Sequence, residues 1–413
     1  AVTALVLCHI HFAKAPADEL PKTEGGLRFL VWTLIAVLLF VSPMLTVATN
    51  AEPIVIGPTW LPGLSLFDTL SMMMSGLVAI LPFFLALWYL NTPEAHREIL
   101  RAIVQAALAY SVLAMVEVRL SPQLHVWIYG FFPHDFIQHI RAGGFRPVVF
   151  LNHGLMVGIL FCMSILASLS LMRHARATGG SILPWAIAAA WLTVTLVLAK
   201  SVGALVIAVV LGLMIVLSSR RLLLLVLTAV AALALFYPVL RGAGLVPVGA
   251  IHELVLSQSE DRAQSLKFRL DNEDDLLAHA NRKPFAGWGG WGRNQIYDPV
   301  TGRMVSVTDG LWIILIGIYG WVGYVAHFGL FTLPILVFAW RRRELETSWT
   351  TLGLLILLGA NLIDFLPNAG LVPYIWMFIG ALTGRMLQSG AARAIGPVGV
   401  PVRADKPLRT VLG

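Results

Sequence analysis

Long apolar runs dominate the chain, and short polar segments separate them. A run of about 20 mostly apolar residues is enough to cross a bilayer as a helix. Such runs fall at residues 29–49, 66–90, 99–118, 148–171, 183–199, 204–217, 222–240, 311–340, 352–365 and 372–387. A further apolar stretch at 1–12 reads as half of a membrane helix whose start lies upstream. The pattern predicts an all-α polytopic membrane protein with ten to eleven or more transmembrane helices. Run 204–217 is short and follows a tight turn at 200–203, which suits a helix tucked inside the bundle. Run 311–340 is long and carries Gly317, Gly320, Gly323 and Gly329, with Gly310 in front of it. A broken or re-entrant start is expected there, tolerated only where protein or water covers the freed backbone.

Composition sharpens this picture. Hydrophobic residues make up 58% of the chain, charged residues 12%, and the mean hydropathy is +0.81. Globular domains carry about 25% charged residues, so an ordinary soluble enzyme is excluded. Lys and Arg number 29 against 22 Asp and Glu, a net +7. In a membrane protein that excess reflects loop charge and topology rather than nucleic-acid binding. Cys8 and Cys162 both lie in apolar runs and show no metal-type spacing.

The cations alternate from loop to loop. Lys14, Lys22, Arg28, Arg97, Arg101, Arg173, Arg176, Arg220, Arg221, Arg341, Arg342, Arg343 and the tail from Arg385 to Arg409 fall on one side. The short loops 50–65 and 367–371 on the other side have no Lys or Arg. The positive-inside rule then assigns the first set to the cytoplasm. Four regions result: an N-terminal transmembrane bundle at 1–240, a large outer loop at 241–310, C-terminal transmembrane helices at 311–388, and a cytoplasmic tail at 389–413 without apolar periodicity.

The outer segments hold the candidate chemistry. In 119–147, Trp127, Tyr129, Phe131, Phe132 and Phe136 suit the membrane interface, and 135–141 reads as a short helix in that plane. Arg146 precedes a span that carries Asn152 and His153. Polar groups inside a span are functional suspects, although an interhelical hydrogen bond serves His153 equally well. Lys200 is the lone Lys or Arg of its hairpin. In 261–280, leucines at helical spacing predict an amphipathic helix bearing Arg269, with its charges paired at i, i+4. The stretch FAGWGGWGRNQIYD at 285–298 follows. The loop falls on the outer side, away from cytoplasmic ATP, and no GxxxxGK[ST] pattern is present, which argues against a nucleotide loop. Its Trp288 and Trp291 could stack on sugars or sit at headgroup level, and its glycines allow close backbone approach. Asp309 at the next span suits either an N-cap or a reactive carboxylate. Arg146, Lys200, Arg269 and Arg293 together are what a pyrophosphate at the membrane surface would require, since the guanidinium fork matches phosphate.

Four segments carry a family resemblance: FRPVVFLNHGLM, LVLAKSVGALV, SLKFRLDNEDDLLAHANRKPFAGWGGWG and VTDGLWIILIGIYGWVG. In this order, around a large outer loop, they resemble the O-antigen ligase and O-antigen polymerase superfamily of bacterial surface-glycan assembly. The likeness covers about residues 119–338. It implies a GT-C-like helical membrane fold in the bacterial inner membrane, with a periplasmic active face and neither metal nor cofactor. It implies transfer of a glycan from undecaprenyl pyrophosphate to a glycan or lipid acceptor. Arg146, Lys200 and Arg269, with Arg293 nearby, would hold the pyrophosphate. His153, Trp288 and Trp291 would line the glycan site or its lid, in contact with membrane lipid. Two positions depart from the family. Lys200 stands where an arginine is usual, and Asp309-Gly310 stands where many ligases have His-Asn. Asp309 would then act on the acceptor hydroxyl, with Glu273 and His252 in reserve. Ligase and polymerase both remain open, as does a transporter of lipid-linked glycans. The absence of an internal repeat and the one-sided charges favour an enzyme over the transporter.

Overall fold

All ten apolar runs form helices, with shifted ends. The computed structural model describes residues 25–388 apart from 142, 258, 259 and 346. The run at 1–12 and the tail at 389–413 lie outside the described residues. The chain runs through α1 (Gly25–Ala48), the hairpin β1 (Ile54–Ile56) and β2 (Thr59–Leu61), α2 (Leu66–Tyr89), α3 (Pro93–Leu120) and α4 (Leu124–Tyr129). A second small hairpin, β3 (Ile140–Arg141) and β4 (Gly144–Phe145), precedes α5 (Gly154–Thr178), α6 (Leu183–Leu198), α7 (Val202–Leu217) and α8 (Arg220–Gly242). Then come α9 (Val248–Leu256), α10 (Glu260–Ala280), α11 (Leu311–Trp340), α12 (Trp349–Asp364) and α13 (Pro373–Gln388). The protein is an all-α membrane protein.

Among the described residues, six helices are long and apolar enough to cross a membrane: α1, α2, α3, α5, α8 and α11. The other apolar helices, α6, α7, α12 and α13, have 16 residues each. That is about 24 Å of helix, short of a roughly 30 Å hydrocarbon core.

Burial orders the bundle around α5 and α12. Helix α5 packs on α3, α6, α7 and α12, while α8 packs on α11 and α13 on α2. Every residue of α12 except Ile363 is buried, as befits a helix apolar on all sides. The tucked-in short helix is therefore α12. Helix α7, expected there, is peripheral: Val206, Val209, Val210, Leu213 and Leu217 face outward.

Local chemistry moves two further boundaries. The short helix expected at 135–141 is one 3-10 turn, Phe136–His139, capped by Asp135 and followed directly by β3. The span expected from 148 begins as helix only at Gly154. Residues 148–150 are instead held by Glu117 of α3, whose carboxylate accepts from the Val148, Val149 and Leu124 amides at 2.8, 2.7 and 2.9 Å.

Helix α11 is broken as expected, at Gly320 (φ 67°, ψ −172°), a conformation open essentially to glycine. The Trp321 N–H donates to the Pro284 carbonyl (2.7 Å). The Gly317 and Ile318 carbonyls accept from Trp288 (2.8 Å) and Gly289 (3.0 Å). The glycine-tryptophan loop thus supplies the hydrogen bonds that the break removes. Contact is close enough that a Cβ on Gly320 would lie 2.5 Å from the Phe285 carbonyl, and one on Gly287 2.5 Å from that of Ile318.

Gly320→Ala combines a disfavoured backbone region with a backbone overlap, and should destabilise the protein by roughly 2 kcal/mol or more. Thermal unfolding in detergent, with Gly249→Ala as a control whose Cβ meets nothing within 4 Å, measures the difference.

Candidate functional site

Two clusters of charged side chains gather at the end of the bundle where α5, α7 and α11 begin and α8 ends. The first forms around Arg146 and Lys200. The Glu117 carboxylate and the Tyr110 hydroxyl, which donates to the Val148 carbonyl and accepts from the Phe150 amide, clamp the segment behind Arg146. They hold Val149 at φ 53°, an unusual conformation for a β-branched residue. The Arg146 amide donates to the His139 carbonyl, and its Nη2 donates to the Lys200 carbonyl at 3.0 Å. Lys200 is itself left-handed, at φ 55°. Two glycines make room for these cations. A Cβ on Gly154 would overlap the Arg146 stem, and one on Gly144 would overlap the Lys200 ammonium.

Three imidazoles stand beside this pair. The His153 ring lies 4.5 Å from that of His134 and 4.8 Å from that of His139, centroid to centroid. His153 has a structural duty: its Nδ1 accepts from the Leu155 amide and caps α5. His139 donates from Nδ1 to the Asp135 carbonyl and accepts at Nε2 from the Gly154 amide. Both of its ring nitrogens are therefore occupied by backbone. Among the described residues, no group of three or more His, Cys, Asp or Glu is placed to hold a metal ion.

The second cluster joins α8, α10 and the head of α11. Arg269 Nε meets Asp309 at 3.2 Å, with the two side chains 48% and 31% exposed. Asp309 does not cap α11. The N-cap is Gly310, without a side-chain bond, and the Leu311 amide donates to the Phe365 and Asn368 carbonyls. The Asp309 carboxylate is turned to Arg269 instead. One turn along α10, the Arg241 Nη2 donates to Asp274 and to the Leu270 carbonyl, both at 3.0 Å. The ion pairs of Arg269 and Asp274 thus leave the helix for neighbouring elements, rather than running along it at i, i+4. The Val307 amide donates to Asn272 (3.0 Å), a further tie between α10 and the approach to α11.

Glu273 lies among these groups and was only a reserve candidate by sequence. It is 7% exposed, and its Oε2 is buried without a hydrogen-bond partner. Burial, opposed by Arg241 and reinforced by Asp274 and Asp309, pushes its carboxyl up to about 7. The side chain of His252, the other reserve, lies outside the described residues.

Three further candidates take structural roles. Arg293 was expected among the phosphate-binding cations, but it is 3% exposed and its hydrogen bonds go to neither cluster. It donates to the carbonyls of Pro62 (2.6 Å), Glu52 (3.1 Å) and Trp288 (3.1 Å), and lies 3.4 Å from Asn50 Oδ1. It staples the loop to the segment after α1. Trp288 is covered on both faces, by the His279 ring at 4.5 Å and the Lys283 ammonium at 4.7 Å. Its Nε1–H donates to the His279 carbonyl. Trp291 is 55% exposed and keeps an open face.

Sequence reading passed over Glu117 and Asp364. Asp364 ends α12, is buried, and accepts from Asn368 at 2.8 Å beside the start of α11. A carboxylate inside an apolar run was the available signal for each.

Arg293→Ala leaves the Glu52, Pro62 and Trp288 carbonyls without their donor. The expected cost is about 3 kcal/mol, read as a lower thermal midpoint with the helical content of the folded protein unchanged.

No known protein-family model matches the chain, and no curated protein is significantly similar to it.

Proposed function

We propose that this protein transfers a glycan from an undecaprenyl-pyrophosphate-linked donor to a glycan or lipid acceptor. On this reading it is an O-antigen-ligase-like glycosyltransferase of the bacterial inner membrane, with its active face toward the periplasm. The observation that carries the reading is the state of Arg269. Its Nε lies 3.2 Å from Asp309 and its side chain is half exposed, so the guanidinium is accessible to a ligand from outside. A guanidinium can bind two phosphate oxygens at once. Arg146 and Lys200 add two cations held by strained backbone and by gaps left at glycines. A departing pyrophosphate gathers negative charge, and preorganised cations in a partly desolvated site stabilise it.

Chemically, the acceptor hydroxyl oxygen attacks the anomeric carbon while the bond to the pyrophosphate oxygen breaks. Arg269 and the Arg146–Lys200 pair hold the leaving group. The exposed Trp291 beside the loop is available to a sugar face. Arg293 and Trp288 contribute by fixing the loop.

The test uses purified protein in proteoliposomes with a defined lipid-linked oligosaccharide donor. Arg269→Ala should lower transfer by at least about 100-fold while the protein still folds and inserts. Lys200→Ala should lose less, and Lys200→Arg should retain activity. Wild-type product levels from Arg269→Ala would overturn the reading. A ladder of longer chains on the carrier lipid would identify a polymerase, and product only on added envelope lipid a ligase. Donor crossing the bilayer without product would identify a transporter.

A further inference from the structure

The two buried glutamates at this end of the bundle differ sharply. Glu117 is 1% exposed, and its two oxygens accept three backbone N–H bonds. Glu273 is almost as buried, yet its Oε2 accepts nothing. Buried polar atoms are nearly always satisfied, and one that is not calls for an explanation. Among the charged groups around Glu273, Arg241 and Arg269 favour its charged form, but neither hydrogen-bonds Oε2. From α8, Arg241 commits Nη2 to Asp274 and the Leu270 carbonyl, and Tyr237 lies nearby. On α10 itself, Arg269 is one turn away and turned to Asp309, while Asp274 is an acid. Ahead of α11, Asp309 is likewise an acid, already paired with Arg269. An apolar residue at 273 would fill this position without stranding an oxygen.

We infer that Glu273 is the proton acceptor for the attacking hydroxyl, in place of Asp309. The inference rests on the glycan-transfer reading above. Glu273 follows Arg269 by four residues, so the two side chains share one face of α10. A donor pyrophosphate on the half-exposed Arg269 would bring the anomeric carbon to that face. In the step, the acceptor oxygen bonds to the anomeric carbon and its proton passes to the Glu273 carboxylate. The bond between the anomeric carbon and the pyrophosphate oxygen breaks with its electron pair, and the polyprenyl pyrophosphate leaves on Arg269. Glu273 then returns the proton to water. Asp309 is engaged as the partner of Arg269, whereas Glu273 has an oxygen without a hydrogen-bond partner. Burial also raises Glu273 to about 7, which matches a base working near neutral pH.

The experiment measures transfer from a defined lipid-linked oligosaccharide between pH 5 and 9 for wild type, Glu273→Gln, Glu273→Asp and Glu273→Met. Binding of undecaprenyl pyrophosphate is measured separately. A base must be ionised, so the wild-type rate should rise with pH through about 7 and level off. Glu273→Gln should lose roughly 100-fold or more and lose that rise, with carrier binding changed less than about threefold. Glu273→Asp should recover part of the rate. Glu273→Met should fold at least as stably as wild type and be inactive. A Glu273→Gln enzyme with the wild-type rate and pH profile would overturn the inference and leave the glycan-transfer reading standing. So would a loss of rate matched by an equal loss of carrier binding. Wild-type protein that transfers no glycan under any condition would overturn both.

Discussion

A helix broken inside an apolar bundle must find partners for its freed backbone groups, and this constraint governs the functional end of the molecule. At 30 residues, α11 would be about 45 Å long if straight, more than a bilayer core requires. Its break at Gly320 shortens the crossing and strands hydrogen-bonding groups that cost several kcal/mol each in hydrocarbon. Residues 284–289 take up those groups by exchange. Trp321 gives its N–H to Pro284 rather than to Gly317, and Gly317 accepts from Trp288 instead. The exchange requires glycine on both sides, at 320 and 287, because the two backbones run closer than a Cβ allows. With the loop locked to α11, the chain on each side of it is fixed as well. Helix α10 ends just before the loop and the head of α11 comes after it, and the Arg269–Asp309 pair and the Asn272–Val307 bond close the circuit.

Hydrophobic periodicity made the helices legible, because a membrane leaves few alternatives to a helix. Each of the ten apolar runs within the described residues became one, and the glycines of 311–340 announced the break. Depth in the bundle was less readable. The runs at 204–217 and 352–365 are both short and apolar, and only packing decides that α12 is enclosed while α7 faces outward. The start of α5 was hidden for a different reason. Residues 148–151 are as apolar as a helix, but the two amide bonds from Val148 and Val149 to Glu117, 31 residues away from Val148, hold them in a turn. Long-range hydrogen bonds of this kind leave no local pattern.

The candidate site divides along the same line. Residue type correctly marked cations for inspection, but type cannot say which carbonyls lie nearby. Arg269 and Arg293 look alike in the sequence, 24 positions apart. One is half exposed beside a single carboxylate. The other is spent on three carbonyls that have no other use for it. Asp309 shows the converse. Its place before a helix suggested a cap, but the Leu311 amide reaches the end of α12 and leaves the carboxylate to Arg269.

Cost separates the carboxylates in a way that geometry alone does not. Hydrogen bonds to a charged acceptor are worth roughly 1.5–3 kcal/mol each, so three of them repay the burial of Glu117 and make it a clamp for the segment behind Arg146. Glu273 receives no such return, and its raised proton affinity is the same cost expressed as an equilibrium. Folded protein holds that proton more tightly than unfolded chain does. Stability therefore declines as pH rises from the ordinary carboxylate range through about 7, and the native state carries the strain above it. A site that only bound an anion would gain from having no acid there. A site that must remove a proton beside a cation has a use for one, and that difference links the least satisfied carboxylate of this cluster to its most open arginine.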